Sequence, residues 1–324
     1  MTPTPDATRH GVTLTNLDQP LFDGAGATKR DLVDYLDAVS DRLVPVLAGR
    51  PLSVIRVHRG QEAFMQKNVP DYTPEWVPTV RIWAEASKRD IAYALCNDVR
   101  TLIWFANQRA VEYHPTLFRM ERPDHVTHLV LDLDPPSAEA FTAAAEAALL
   151  VRSVLDDLGL HGAVKTSGST GVHVYVPIDA SVSTIDAAAA TRAIAARAER
   201  LDPALATTAF LKEDRDGKVF IDMTRVGGAT VVAAYSPRVR PHVPVSFPVG
   251  WQVLRDVAPR EFTMRTVPGL LANEATAAGP DEWTATMAAG QALPADLVEE
   301  GHAIPVPRVQ AMHEGKRRKR ARGG

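Results

Sequence analysis

Two aspartates one residue apart close an apolar run, "HLVLDLDPPS", with Asp132 and Asp134 at its end and Pro135 and Pro136 directly behind. On an extended strand, positions i and i+2 project from the same face, so the two carboxylates stand side by side. Oxygen-only ligation with open positions for water and phosphate suits Mg2+ or Mn2+. A third carboxylate, Asp222 in "KVFIDMTR", also ends an apolar stretch and can complete a three-aspartate cage. A lone D-x-D is more often an acidic strand end facing water, so the pair alone decides nothing.

Further features change that reading. "KTSGSTGVHVYVPI" (Lys165–Ile178) joins two strand-like runs through a Ser/Gly-rich turn whose backbone N–H groups can cradle phosphate oxygens. His173 emerges on the second run. "YSPRVRP" sets Arg238 and Arg240 on alternate positions of an extended segment, a natural clamp for anionic oxygens. Taken singly, the turn is more often a plain hairpin and the arginines plain surface. Together they describe metals, a polyphosphate and its counter-charges.

Those residues need strands held by helices. "TKRDLVDYLDAVSDRLVPVLAG" (Thr28–Gly49) predicts a helix with Thr28 as N-cap, Asp31 completing the cap, and Leu32, Tyr35, Leu36, Val39 and Leu43 on one face. "PLSVIRVH" and "PTVRIWA" predict strands, and "NDVRTLIWFANQRA" a helix capped by Asn97. Ser137 is expected to cap an alanine-rich helix ending near Gly159, and "TIDAAAATRAIAARAERL" predicts another helix. "KVFIDM" and "ATVVAAYS" read as strands. Mixed order with hairpin-like pairs favours α+β over a doubly wound sheet. The expected catalytic domain spans residues 1–282, with an alanine- and proline-rich peripheral segment at 283–324.

The chain has 324 residues, enough for a large core, with 45% hydrophobic and 23% charged residues, as in ordinary globular proteins. Its one cysteine, Cys96, leaves no internal disulfide framework and fits a reducing compartment. The opening "MTPTPDATRHG" has no apolar signal core, and no uncharged apolar run reaches spanning length, so no membrane partner is expected. Net charge is −3, yet the tail carries six basic residues, Lys316, Arg317, Arg318, Lys319, Arg320 and Arg322, which leaves the rest near −9. A body that acidic makes any nucleic-acid contact local, and the tail reads as a solvated arm able to meet phosphate backbones.

The order "HLVLDLDPP", "KTSGSTGVHVYVP" and "VFIDMTR…AAYSPRVRP…PVSFPVGW" resembles the polymerase domain of bacterial ligase D, within the archaeo-eukaryotic primase superfamily. "LTNLDQPLF", "GRPLSVIR", "FMQKNVPDYTPEW", "LIWFANQRAVEYHP" and "REFTMRTVPGLL" match family segments in the same order, over about residues 11–275, as in stand-alone actinobacterial members. The resemblance implies a two-lobed α+β primase-like fold with mostly antiparallel or mixed sheets flanked by helices. It implies a template-dependent nucleotidyltransferase, favouring ribonucleotides, that adds to DNA 3′ ends in repair or gap filling.

Carried over, Asp132, Asp134 and Asp222 would be the catalytic ligands of two Mn2+ or Mg2+ ions. Ser167, Thr170, His173, Arg238 and His114 would meet the incoming NTP or dNTP. Lys29, Arg56, Phe64 and Lys67 would meet DNA as primer-template, gap or end. A DNA ligase and Ku are the implied protein partners, and the cytoplasmic nucleoid the implied location. The chain departs from the family at Thr170, where a lysine is usual, at Gln19, where one of two 5′-phosphate lysines stands, at Ile55, commonly basic, and at Arg225, where a polar amide is common. A non-catalytic DNA-end module is the alternative reading, weakened by three carboxylates that would repel without a cation. A haloacid-dehalogenase-type phosphatase also uses D-x-D after a strand, but Pro135 and Pro136 would hinder its nucleophile loop.

Overall fold

A computed structural model describes residues 7–306 apart from 59, 85–87, 180, 228 and 229, and leaves the side chains of 274–278 aside. The basic tail from Lys316 lies outside the described residues. Strands β1 (Ala7–Arg9) and β2 (Val12–Leu14) form a short ribbon. Thr28 and Asp31 build the expected capping box, Asp31 accepting the Thr28 amide at 2.7 Å and Thr28 Oγ1 the Asp31 amide at 3.3 Å. The segment predicted as one helix is two, α1 (Lys29–Ala38) and α2 (Ser40–Leu47), separated at Val39, which leaves the helical region with φ −104° and ψ 8°.

The first sheet contains β3 (Pro51–Arg56), β4 (Phe64–Gln66), β5 (Thr79–Ala84) and β6 (Arg89–Leu95) in the order β4-β3-β6-β5. Helix α3 (Val99–Asn107) follows, capped by Asp98 rather than Asn97. Asp98 Oδ1 accepts the Thr101 amide at 2.7 Å, whereas the Asn97 side chain accepts the Gly49 amide at 2.8 Å and ties down the end of α2. Strand β7 (Ala110–Pro115) also pairs with β3, placing Glu112 opposite Ile55 and His114 opposite Ser53.

The second sheet carries the aspartates. β8 (His128–Asp134) leads through α4 (Phe141–Asp157) to the hairpin β9 (Ala163–Thr166) and β10 (Val172–Pro177). Then come α5 (Thr184–Leu201), β11 (Ala206–Thr207), β12 (Val219–Asp222) and β13 (Pro248–Val249). The order is β11-β12-β8-β10-β9-β13, antiparallel except for the β11–β12 pair. This is the α+β architecture with mixed sheets that the mixed order of elements implies. Leu129, Leu131 and Leu133 are fully buried, and α4 and α5 pack against β8.

Three local expectations fail for identifiable reasons. Ser137 is exposed and caps nothing, because the prolines carry the chain through a turn and α4 starts only at Phe141, after Ala140. Within "ATVVAAYS" the described residues 230–236 are irregular rather than a strand; Ala233 N donates to Tyr113 O, and Tyr235 bends away with φ +66°. The segment after Glu282 is not peripheral within the described residues. Residue 282 lies inside α7 (Glu274–Met287), preceded by α6 (Val267–Leu271), and Trp283 is buried with its ring 5.1 Å from that of Tyr175. Helix α8 (Ala295–Ala303) packs on α5 so closely that a Cβ on Gly301 would lie 1.9 Å from Ala189 O. The short side chains of both helices, silent as pattern, permit that approach.

Candidate active site

Register brings the aspartates together. Asp222 on β12 is the direct partner of Asp132 on β8, and Asp134 lies two residues further along β8. On β10, His173 faces Asp132 from the other side, with Nε2 at 3.1 Å from Oδ1. Lys165, fully buried on β9, brings its amine to 2.9 Å from His173 Nδ1 and bonds Ser246 Oγ. A lysine amine on Nδ1 makes that nitrogen the acceptor, so Nε2 carries the proton it donates to Asp132. Burial, then Lys165, pushes His173 down to about 4, so this is a neutral imidazole donating to a carboxylate. Burial alone would raise Asp132, but His173, Arg225 and Lys165 outweigh it and hold the group well below the usual carboxylate range. Asp134 goes the other way: burial, then the Asp132 charge, push it up to about 6.

Arg225 completes the cluster. It opens a 3-10 turn three residues after Asp222, and its Nη2 lies 2.8 Å from Asp132 Oδ2 and 3.1 Å from Asp222 Oδ2. The other Asp222 oxygen accepts from the Thr224 amide at 2.8 Å and the Thr224 hydroxyl at 2.6 Å. The donor set, three carboxylates at adjoining strand positions, fits a hard divalent cation. As the side chains stand, no three Asp, Glu, His or Cys groups among the described residues close on one metal position; Arg225 is paired with oxygens such an ion would use.

The turn expected to meet phosphate lies where the two sheets meet. Ser167 Oγ accepts the Ser169 amide at 3.2 Å and the Gly171 amide at 3.0 Å, so the turn is braced internally rather than wholly open to phosphate as expected. Gly168 holds φ +69°, and a Cβ there would meet Arg238 Cγ at 2.7 Å and Ser246 N at 2.8 Å. A Cβ on Gly171 would lie 2.3 Å from Leu133 O, so both glycines are required by close approach. Arg238 Nη1 donates to Ser167 O, and its Nε lies 3.0 Å from Glu112 Oε2 as an ion pair without hydrogen-bond alignment. Glu112 also bonds His114 Nε2 at 2.8 Å and accepts the Val239 amide at 2.8 Å. Burial would raise Glu112, yet His114, Arg238 and that amide hold it at about 2.

The family model described as "LigD, primase-polymerase domain" matches residues 28–278. The chain belongs to that family. It is 35% identical over 268 residues to the multifunctional non-homologous end joining DNA repair protein LigD of Mycobacterium tuberculosis, covering 79% of this chain and 35% of that protein. It is 34% identical over 258 residues to the bifunctional non-homologous end joining protein LigD of Bacillus subtilis, covering 78% and 41%. The chain therefore spans roughly a third to two fifths of the length of these relatives. Among solved structures it is similar to the polymerase domain from Mycobacterium tuberculosis ligase D in complex with DNA, with TM-score 0.75, 35% identity, and coverage of 81% of this chain and 95% of that one. The LigD primase-polymerase family is a family of DNA nucleotidyltransferases.

The residues expected to meet DNA are less uniform than the LigD pattern suggests. Phe64 and Lys67 are exposed, and the Phe64 ring stacks on His58 at 5.4 Å. Arg56 is buried, bonding Gln108 O at 2.8 Å, Gln66 Oε1 at 2.6 Å and Tyr72 Oη at 3.0 Å, so its guanidinium braces β3 and β4 instead of facing outward. Lys29 is buried too, its amine 2.6 Å from Thr15 O, which removes it from the surface a 5′-phosphate would approach. Thr170 is half-buried at the tip of the turn. Glu112, Lys165 and the pairing of Arg225 escaped the sequence reading. Glu112 and His114 stand two apart in "VEYH" and so share a strand face; that spacing was the available signal. A cavity of about 320 Å³, lined by Arg50, His128, Tyr175 and Trp283, includes none of the three strand-end aspartates.

Proposed function

We propose that this chain is a template-dependent primase-polymerase that adds nucleotides, ribonucleotides in preference, to DNA 3′ ends at gaps or breaks. The observation that carries the reading is the register pairing of Asp132 with Asp222, with Asp134 beside them, on the sheet whose β9–β10 turn meets Arg238. Divalent ions held by these carboxylates, Mn2+ or Mg2+ and two in number, would activate the primer 3′-hydroxyl and neutralise the pyrophosphate leaving group. The chain's own groups bind and orient. His173 presents an Nε2–H toward the reacting end, Arg238 lies along the turn where a triphosphate would sit, and His114 stands behind it on Glu112. Phe64 offers an exposed ring for stacking on a template base.

The relatives' names place them in non-homologous end joining, which supports a DNA ligase and Ku as partners. Among the described residues no helix is long and apolar enough to cross a membrane; the place on the nucleoid follows from the DNA substrate proposed here. The test is single-nucleotide extension of gapped DNA with each template base in turn, using ribo- and deoxyribonucleotides with Mn2+ or Mg2+. Addition of the complementary ribonucleotide in preference is the expected result. Addition indifferent to the template base would overturn the reading, and DNA binding without addition would leave a non-catalytic end-binding module.

A further inference from the structure

Both oxygens of Asp132 and of Asp222 are already committed. His173 bonds Asp132 Oδ1, Thr224 bonds Asp222 Oδ1, and Arg225 holds the remaining oxygen of each. These partners are not equivalent. His173 is 5% exposed and locked between Asp132 and Lys165, whereas the Arg225 side chain is 34% exposed, on a turn directly after β12. The Asp132 and Asp222 side chains are 10% and 9% exposed. Two such carboxylates paired across one register position need a positive charge between them. A guanidinium meets that need with two nitrogens, Nε and Nη2, on Asp132 Oδ2 at 3.1 and 2.8 Å.

We infer that Arg225 is a built-in competitor for the metal: it closes the cage in the metal-free protein, and a divalent ion loads only as the guanidinium swings off Asp132 and Asp222. This rests on the reading that those aspartates hold the metal. The exchange needs no movement of either strand, because the arginine has solvent beside it and Thr224 holds Asp222 through Oδ1, the oxygen the arginine does not use. Asp134, which has no bond to the guanidinium among those described, supplies a carboxylate that an arriving ion meets first. The consequence is a metal affinity set by the difference between two cations at one place, lower than the three carboxylates alone would give.

The experiment uses the full chain stripped of metal, with Mn2+ alone, no nucleotide and no DNA. Free Mn2+ is counted by electron paramagnetic resonance, and melting is followed in chelator and in Mn2+. Arg225→Gln should bind Mn2+ about tenfold tighter or more, since a charge-assisted contact to the ligands is gone. It should melt lower in chelator and gain more from Mn2+ than the wild type. Arg225→Lys, which keeps the charge, should stay near the wild type. Equal or weaker Mn2+ binding by Arg225→Gln overturns the inference while leaving the cage in place. Asp222→Asn binding Mn2+ as the wild type does would overturn the cage reading, and the inference with it. Should Arg225→Gln fail to fold, the Arg225 15Nε resonance of the wild type is followed during Mg2+ titration. A shift at saturation supports the exchange, and an unmoved resonance overturns it.

Discussion

The two charged clusters of this molecule solve opposite problems. In one, Asp132, Asp134 and Asp222 crowd together and a half-exposed arginine balances part of their charge. In the other, Glu112 sits at 3% side-chain exposure between His114 and Arg238, with a backbone amide on its remaining oxygen. The first has excess charge of one sign and an exchangeable partner. The second is matched and closed, bridging β7 of one sheet to the turn of the other. On the proposed function the difference has a use: a cluster short of positive charge can accept a cation, and an arginine bound from behind can be aimed at an anion.

Breaking the first cluster has the larger effect on chemistry. Asp132→Asn keeps an acceptor for His173 but removes a metal ligand, so nucleotide addition should vanish in single-turnover extension with an unchanged circular dichroism spectrum. Measurable extension by the folded variant would contradict the account. Breaking the second should cost stability first. Glu112→Gln leaves Arg238 without its counter-charge, and losing one member of such a buried pair costs about 3–5 kcal/mol. The sign of its pH dependence follows from Glu112 lying at about 2, below the usual 4.5. The stability it contributes is fully present above the unfolded value and lost as pH falls toward about 2. The Glu112→Gln protein should therefore show a flatter acid limb in denaturant melts between those values.

How much of this was legible depends on what each residue's neighbours are. Asp132, Asp134, Asp222 and His173 are polar residues within or at the end of short apolar runs that form buried strands, and that contrast is visible in the sequence itself. The capping box at Thr28 is local and was readable for the same reason. Glu112 was hidden because the groups that give it a role, Arg238 and the Val239 amide, lie far along the chain and meet it only in the fold. The α8 contact was hidden because alanine and glycine pack through backbone proximity. The resemblance sends Arg56 and Lys29 to DNA; only the tertiary carbonyls and amides they bond show that they are interior braces.

Smaller changes sharpen the contrast at the anion side. Thr170→Lys adds a charged donor at the tip of the turn. It should lower the nucleotide KM by about threefold to tenfold with little change in kcat, as added uniform binding does. An unchanged KM would mean the tip does not reach the triphosphate. Phe64→Ala should weaken primer-template binding by about 1 kcal/mol, the low end for base stacking, because the ring already stacks on His58. Fluorescence anisotropy against salt-matched controls would read that loss, and undiminished affinity would place the template elsewhere.

The most direct test of the central claim is anomalous scattering from crystals soaked with Mn2+ and a non-hydrolysable nucleoside triphosphate. The account predicts manganese peaks among Asp132, Asp134 and Asp222, Arg225 turned away from them, and the triphosphate against Ser167 and Arg238. A bound nucleotide with Arg225 still paired to Asp132 and Asp222, and no manganese between the strands, would contradict it.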